Sequence, residues 1–275
     1  MARVEMIAVG RELLIGRTLN TNAHWVGARL ASMGTMLAAV ATVDDDLGEI
    51  SSMFTQALGR RPDFLVVVGG LGPTPDDMTL KGVARGTGRP VRTNGAAMDM
   101  IKAHYARRGL AGIELTPARR KMAMLPATAV PVVNPLGTAP GARLESGGAV
   151  VFCLPGVPEE MKRMFRDSVE PEVRARLGVL HRGRASLDVS GVFESDMAPL
   201  IAEELRRHPG AYVKSHPKGL REGRSRILVD IAKVGPDRER VKAEAGAIAD
   251  EIKEWAEARG AKVARTPESG RRKSG

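Results

Sequence analysis

The chain has a single cysteine, few aromatic residues and no hydrophobic run long enough to cross a membrane. One thiol, Cys153, cannot close an internal disulfide, so nothing here requires an oxidising compartment. Aromatic residues are only 3% of the chain, which leaves Val, Leu, Ile, Ala and Met to build the core. No apolar stretch approaches the roughly 20 residues that a membrane helix needs. The first residues also lack the apolar segment and small-residue cleavage site of a secretory leader. The expectation is a cytoplasmic protein with no membrane partner.

Hydrophobic residues make up 43% and charged residues 27% of 275, the balance of a folded globular protein rather than a disordered one. That length exceeds most single compact domains, which predicts one large domain and one small one. The formal net charge of +10 favours anionic partners. The Lys and Arg residues are scattered along the predicted helices, however, and cluster only at Arg271-Arg272-Lys273. Scattered charge reads as solvated surface and argues against a nucleic-acid partner, which would need a stripe.

Strand-like and helical stretches alternate. Val4 to Val9 reads as a buried strand, and Asn20-Thr21-Asn22 can cap a helix reaching Met33. A strand from about Met36 to Val43, the triplet Asp44-Asp45-Asp46 and a helix from about Leu47 to Leu58 follow. Phe64 to Val68 is continuously apolar, as a central parallel strand covered on both faces must be. Further helices are expected at about Ala96 to Arg108, Pro117 to Met124 and Pro158 to Leu177. Strands are expected near Val130 to Val133, Ala142 to Glu145 and Val150 to Leu154. This order argues for a doubly wound, mostly parallel α/β sheet, in which ligands bind beyond the carboxyl ends of the strands. The polar stretches at 10–22, 44–46 and 69–79 all fall there.

The character of the chain changes near His181-Arg182-Gly183-Arg184. Beyond it the pattern predicts a strand (about Ser186 to Val192), a helix (Ser195 to Arg207), a hairpin (Ala211 to His216 with Arg226 to Lys233) and a long helix (Asp237 to Ala258). The expected division is therefore a domain at 1–178, a small α+β domain at 181–264 and a disordered basic tail at 265–275.

The richest chemistry lies in Gly69-Gly70-Leu71-Gly72-Pro73-Thr74-Pro75-Asp76-Asp77-Met78-Thr79. A Gly-rich turn that opens a helix aims backbone N–H groups at one place, and the helix dipole adds positive potential, so phosphate binds. Gly69, Gly70 and Gly72 allow close backbone approach. Thr74 and Thr79 can donate hydroxyls and Lys81 a charge. Asp76 and Asp77 would repel a bare phosphate, and Mg²⁺ or another divalent metal between them would remove that conflict. Read alone, the same residues also suit a tight turn whose aspartates cap a helix. The string is neither a P-loop nor the dinucleotide fingerprint.

Taken whole, these eleven residues resemble the signature of the CinA (competence/damage-inducible protein A) amino-terminal domain, a branch of the MoaB/MogA molybdopterin-binding superfamily. Other segments resemble the same family in the same order: Gly10 to Gly16, Asn20 to Ala23, Thr42 to Asp45, Asn134 to Gly141 and Leu154 to Met161. The resemblance spans about residues 1–178 and implies a three-layer α/β/α fold. It implies that Asp45 and Asp77 line the ligand site and hold the metal, with Asp76, Glu12 and Asn22 as neighbours. It makes Asn134, Gly137 and Thr138 part of a second phosphate-contacting turn. The family usually has Thr or Ser where this chain has Arg11, which could itself contact phosphate. Residues 181–264 resemble the KH-like module that follows this domain in longer members, where a nicotinamide mononucleotide deamidase domain comes next. The chain ends before that segment, and no deamidase activity is expected.

The activity implied is metal-dependent hydrolysis of the pyrophosphate in ADP-ribose or a related nucleotide. Asp77 and Asp45 would carry the metal beside Asp76. The alternatives are molybdopterin binding or transfer, and a non-catalytic nucleotide-binding protein. The partner in each case is a phosphate-bearing small molecule; whether the chain forms a homo-oligomer is open.

Several signals carry less. The five histidines (24, 104, 181, 208 and 216) show no paired metal spacing and read as surface or capping groups. Glu159 and Glu160 fall in the first turn after Pro158, where acids are structurally favoured. Gly109-Leu110-Ala111-Gly112 mimics an RNA-clamping loop but lies in the wrong domain.

Overall fold

The run Phe64–Val68 can only sit where both faces are covered, and the computed structural model, which describes residues 2–221 and 224–266, places it in the middle of a six-stranded sheet. The chain forms two compact units, Met1–Leu177 and Gly178–Gly275.

The first unit runs β1 (Val4–Val9), α1 (Arg11–Leu14), α2 (Thr21–Ser32), β2 (Leu37–Val43), α3 (Leu47–Gly59), β3 (Phe64–Val68) and α4 (Thr79–Gly86). It continues with β4 (Val91–Thr93), α5 (Gly95–Arg107), α6 (Pro117–Lys121), β5 (Met124–Pro126), β6 (Val130–Val132), β7 (Gly141–Ser146), β8 (Ala149–Leu154), α7 (Pro158–Met164) and α8 (Glu170–Leu177). The sheet order is β2-β1-β3-β8-β7-β6. The first four strands are mutually parallel, while β7 is antiparallel to both of its neighbours, β8 and β6.

Alternation along the central strands decides the layers. Ile7, Leu65 and Val67 face Ile50 and Phe54 of α3, Val83 of α4 and Ile101 of α5. Met6, Val66 and Phe152 face Val26 and Leu30 of α2 and Met161 and Met164 of α7. This is the expected three-layer α/β/α arrangement. Asn20 caps α2 by accepting from Ala23 N, and Asp46 caps α3 by accepting from Gly48 and Glu49 N. Glu5 sits inside β1 at 1% exposure because Arg3 and Arg60 both bond its carboxylate.

Three details differ from the expectation. The Pro117 helix ends at Lys121, because the chain then enters β5 to pair with β4 in a short ladder. The helix from Pro158 to Leu177 is interrupted at Phe165–Val169 by one wider π-type turn. The loop after β1 contains the short helix α1.

The second unit comprises β9 (His181–Ser190), α9 (Glu194–Arg207), β10 (Ala211–Arg221), β11 (Arg224–Gly235), α10 (Arg238–Glu257) and β12 (Lys262–Arg265). Its antiparallel sheet has the order β10-β11-β9-β12, and Leu187, Val229, Ile231, Ile248 and Ile252 fill the space between sheet and helices. β9 begins five residues earlier than its apolar pattern suggests, because His181 to Ala185 already pair with β11. Arg265, expected in the disordered tail, pairs with Leu187, and Thr266 N donates to Ser186 O. The remainder of that tail lies outside the described residues. Among the described residues no helix is long and apolar enough to cross a membrane.

Candidate functional site

At the end of β3 the chain must turn away from the sheet beside β1, and only glycine fits. Gly69 has φ +108, and a Cβ there would lie 2.2 Å from Val9 O. Gly70 has φ +62, with a Cβ position 2.4 Å from Thr79 Oγ1. Thr79 is fully buried; its hydroxyl donates to Gly69 O (2.7 Å) and its amide to Gly70 O (3.2 Å). The expected role of Thr79 as a hydroxyl donor to ligand is therefore corrected: it ties the loop down from beneath. Thr74 is likewise committed, since its amide (2.8 Å) and hydroxyl (2.6 Å) both donate to Asp77 Oδ2.

These ties leave a row of backbone donors open. Among the described residues, the amides of Gly70, Leu71 and Gly72 donate to no group of the chain. They line a small pocket with Asp77, Lys81 and Lys121. Lys121 Nζ donates to Thr74 O. Burial holds the Lys121 ammonium below its usual value, Asp77 acts against this, and Lys81 pushes it down further. A bound anion would relieve that strain on the charge. Lys121 was not singled out from sequence, where it is one of three basic residues at the end of a short helix.

The aspartate triplet divides its work. Asp46 caps α3, Asp44 takes the Arg11 guanidinium on both oxygens (2.9 and 2.8 Å), and Asp45 Oδ2 accepts the Arg11 amide (2.8 Å). Arg11 is thus spent on Asp44 rather than held free for phosphate. Burial lifts the Asp45 carboxyl above its usual value, the Arg11 amide opposes this, and Glu12, Asp44 and Asp76 raise it further. Asn22 donates to Gly156 O (2.8 Å), while its Oδ1 is buried with no hydrogen-bond partner.

The second turn, between β6 and β7, is built by Asn134. Its Oδ1 accepts from Leu136 N (3.2 Å) and Gly137 N (2.8 Å), and its Nδ2 donates to Ala139 O (2.9 Å) and Glu160 Oε2 (2.7 Å). Gly137 packs on the Glu160 carboxylate, where a Cβ would lie 2.1 Å from Oε2. The Asn134 side chain and the Gly137 amide therefore shape the turn and do not offer donors to a ligand. Among the described residues, the amides of Thr138 and Ala139 have no acceptor. Glu160 lies in the first turn of α7, as expected from sequence, and its carboxylate also anchors this turn. Both turns lie at the carboxyl end of neighbouring strands β3 and β8, since Ala142 pairs with Cys153. Cys153 itself is inert, its thiol pushed up to about 12 by complete burial.

Asp45 and Asp77, the two carboxylates expected to hold a metal, have different surroundings. Asp77 Oδ2 is doubly bonded to Thr74 and Asp77 faces Lys121, whereas Asp45 sits in the field of Glu12, Asp44 and Asp76. Among the described residues no three of these carboxylates bring ligand atoms within 4.8 Å of one another. An ion here would take one or two side chains and complete its shell from ligand phosphate and water, as Mg²⁺ commonly does.

The pattern of a family described as a probable molybdopterin-binding domain matches residues 5–175. The chain belongs to this family. The matched segment contains both turns, the aspartate triplet and Lys121, and it excludes the small unit. A protein of Aeropyrum pernix is 42% identical over 264 residues, covering 95% of this chain and 96% of that one. A protein of Thermoplasma volcanium is 42% identical over 218 residues, covering 78% of this chain and 80% of its own. Among solved structures, CinA of unknown function from Thermoplasma acidophilum is similar, with TM-score 0.57 and 42% identity. That likeness covers 62% of this chain and 96% of the other. The first unit is thus a CinA-like member of the molybdopterin-binding family, with a second, β-rich unit after it.

Proposed function

We propose that the loop from Gly69 to Thr79 holds a phosphate of a small-molecule ligand, and that the chain hydrolyses the pyrophosphate of ADP-ribose or a related nucleotide with help from a divalent cation. The observation that carries the reading is the row of open amides at Gly70, Leu71 and Gly72. Three successive backbone N–H groups that find no acceptor in the described chain, at the half-buried start of the turn and beside Lys81 and Lys121, suit a phosphate. The Thr138 and Ala139 amides offer a second set of donors for a linked phosphate, and Asn22 Oδ1 can accept from a ligand hydroxyl.

When bound at Asp45, a divalent cation would neutralise phosphate charge and make a water more acidic. The chain's own groups do the rest. The loop amides orient one phosphate, Lys121 and Lys81 draw its charge, and Asp77 keeps Thr74 in place so that the donors stay aligned.

A second reading, binding of a molybdopterin with its single phosphate, is favoured by one observation. The Gly137 amide is spent on Asn134 and the Glu160 carboxylate stands behind it, so the second turn is the weaker anion site. The two readings separate on Thr138→Asp. That change should weaken ADP-ribose binding by more than about tenfold, or 1.4 kcal/mol, because it sets a negative charge where the second phosphate would lie. Titration calorimetry with ADP-ribose and with molybdopterin tests this. Unchanged ADP-ribose affinity would leave the pterin reading in its place.

A further inference from the structure

The second unit carries a feature that the loop chemistry does not use. Glu204 lies on the core-facing side of α9, one and a half to two turns beyond Met197, and both are fully buried. A glutamate at such a position is rarely left incomplete. Its Oε1 is bonded by Arg207, but its Oε2 is buried with no hydrogen-bond partner. That oxygen points at His208 Nε2, 3.7 Å away, too far for a hydrogen bond. From the neighbouring helix α10, Glu251 completes the group. One ligand atom each from Glu204, His208 and Glu251 falls within 4.8 Å of the others, and no other such group of three occurs among the described residues.

We propose that Glu204, His208 and Glu251 form a binding site for a transition-metal dication of the Zn²⁺ class, joining the end of α9 to α10. One imidazole and two carboxylates are the donor types that such ions take, and three protein ligands leave a position for water. The imidazole separates this site from one for Mg²⁺ or Ca²⁺, which prefer oxygen alone. Arg207 bonds both carboxylates and offsets part of their mutual repulsion, which keeps the group assembled without the ion. Burial and the facing Glu251 carboxylate hold Glu204 above its usual value, the effect a cation between them would reverse. His208 follows the last residue of α9 and donates its amide to Glu204 O (2.9 Å), so the imidazole is delivered one turn from the carboxylate it faces.

The test is Zn²⁺ binding to the full chain after chelator treatment, followed by titration calorimetry and by the visible absorption of the Co²⁺-substituted protein. The expected result is one Zn²⁺ bound in the second unit and a Co²⁺ spectrum that His208→Gln removes. His208→Gln and Glu251→Gln should each weaken Zn²⁺ by at least about tenfold, and both positions are partly exposed, so the fold survives. Asp45→Asn serves as the background that removes any ion held at the first unit's loop. Uptake unchanged in His208→Gln, uptake abolished by Asp45→Asn alone, or no uptake by the wild-type chain would each overturn the proposal.

Discussion

The candidate sites of the two units are built around different open groups. In the first, the loop after β3 keeps three backbone donors, Gly70 to Gly72, without acceptors and places two lysines beside them. In the second, the face between α9 and α10 keeps a carboxylate oxygen, Glu204 Oε2, without a donor. Elsewhere a buried glutamate is closed off: Glu5 takes Arg3 and Arg60, and Glu170 takes Arg29 and Arg174. The same side chain is thus finished where it supports the scaffold and unfinished where a ligand would complete it. Open donors call for an anion and open acceptors for a cation.

The largest expected effect tests the finished end of that contrast. Glu5→Ala should destabilise the first unit by about 2 kcal/mol, because it removes the charge-assisted hydrogen bonds that Arg3 and Arg60 make to a buried strand position. Glu204→Gln, in chain freed of metal, should change stability by less than about 1 kcal/mol, since only one of its oxygens is paired. Urea unfolding of the two variants compares them directly. Equal losses would erase the distinction between scaffold and site.

Lys121→Ala comes next. Removing one of the two lysines beside the open amides should weaken binding of a phosphate-bearing ligand about tenfold, or 1.4 kcal/mol. Titration of AMP into the variant measures it, and unaltered affinity would mean that the amides do not hold the phosphate.

Acidification should separate the units. Burial raises Glu5, but hydrogen bonds and charge from Arg60 and Arg3 bring it below its ordinary value; Glu170 follows the same pattern with Arg29 and Arg174. Their stabilisation is present above the ordinary value of 4.5 and is lost as pH falls through the lower folded values. Glu204 is shifted the other way, so its contribution is present below 4.5 and fades as pH rises through its higher folded value. Amide hydrogen exchange, read separately for each unit, should show the first unit loosening below about pH 4 and the metal-free second unit losing nothing from Glu204 there. Unchanged protection in the first unit as pH falls through that range would contradict the lowered values at Glu5 and Glu170.

The smallest effect belongs to Asp77→Asn. The amide oxygen can still accept from Thr74, so stability should move by less than about 1 kcal/mol, whereas Asp45→Asn should remove metal-dependent turnover with equally little effect on the fold. Far-ultraviolet circular dichroism together with a turnover assay distinguishes the two positions.

Much of the scaffold could be read directly. The unbroken apolar run of β3, the caps at Asn20 and Asp46 and the Gly-rich loop all express local rules that tertiary packing did not override. The strands β4, β5 and β12 were missed because each is three or four residues long and Arg92, Thr93, Lys262 and Arg265 leave no alternation to detect. Within the site, sequence identified the loop but not which of its groups remain free. Thr79 and Gly137 carry donors on paper, and only the three-dimensional hydrogen-bond pattern shows both donors already spent. Lys121 is brought to the loop from 47 residues away, and Glu251 reaches Glu204 from a different helix, so neither leaves a spacing signal.

The most direct measurement is product analysis after incubating the purified full chain with ADP-ribose and Mg²⁺. The account predicts AMP and ribose 5-phosphate in equal amounts, lost on chelation and in Asp45→Asn. No AMP with Mg²⁺, Mn²⁺ or Ni²⁺, combined with tight binding of molybdopterin, would contradict the hydrolase and leave the same loop as a pterin-phosphate cradle.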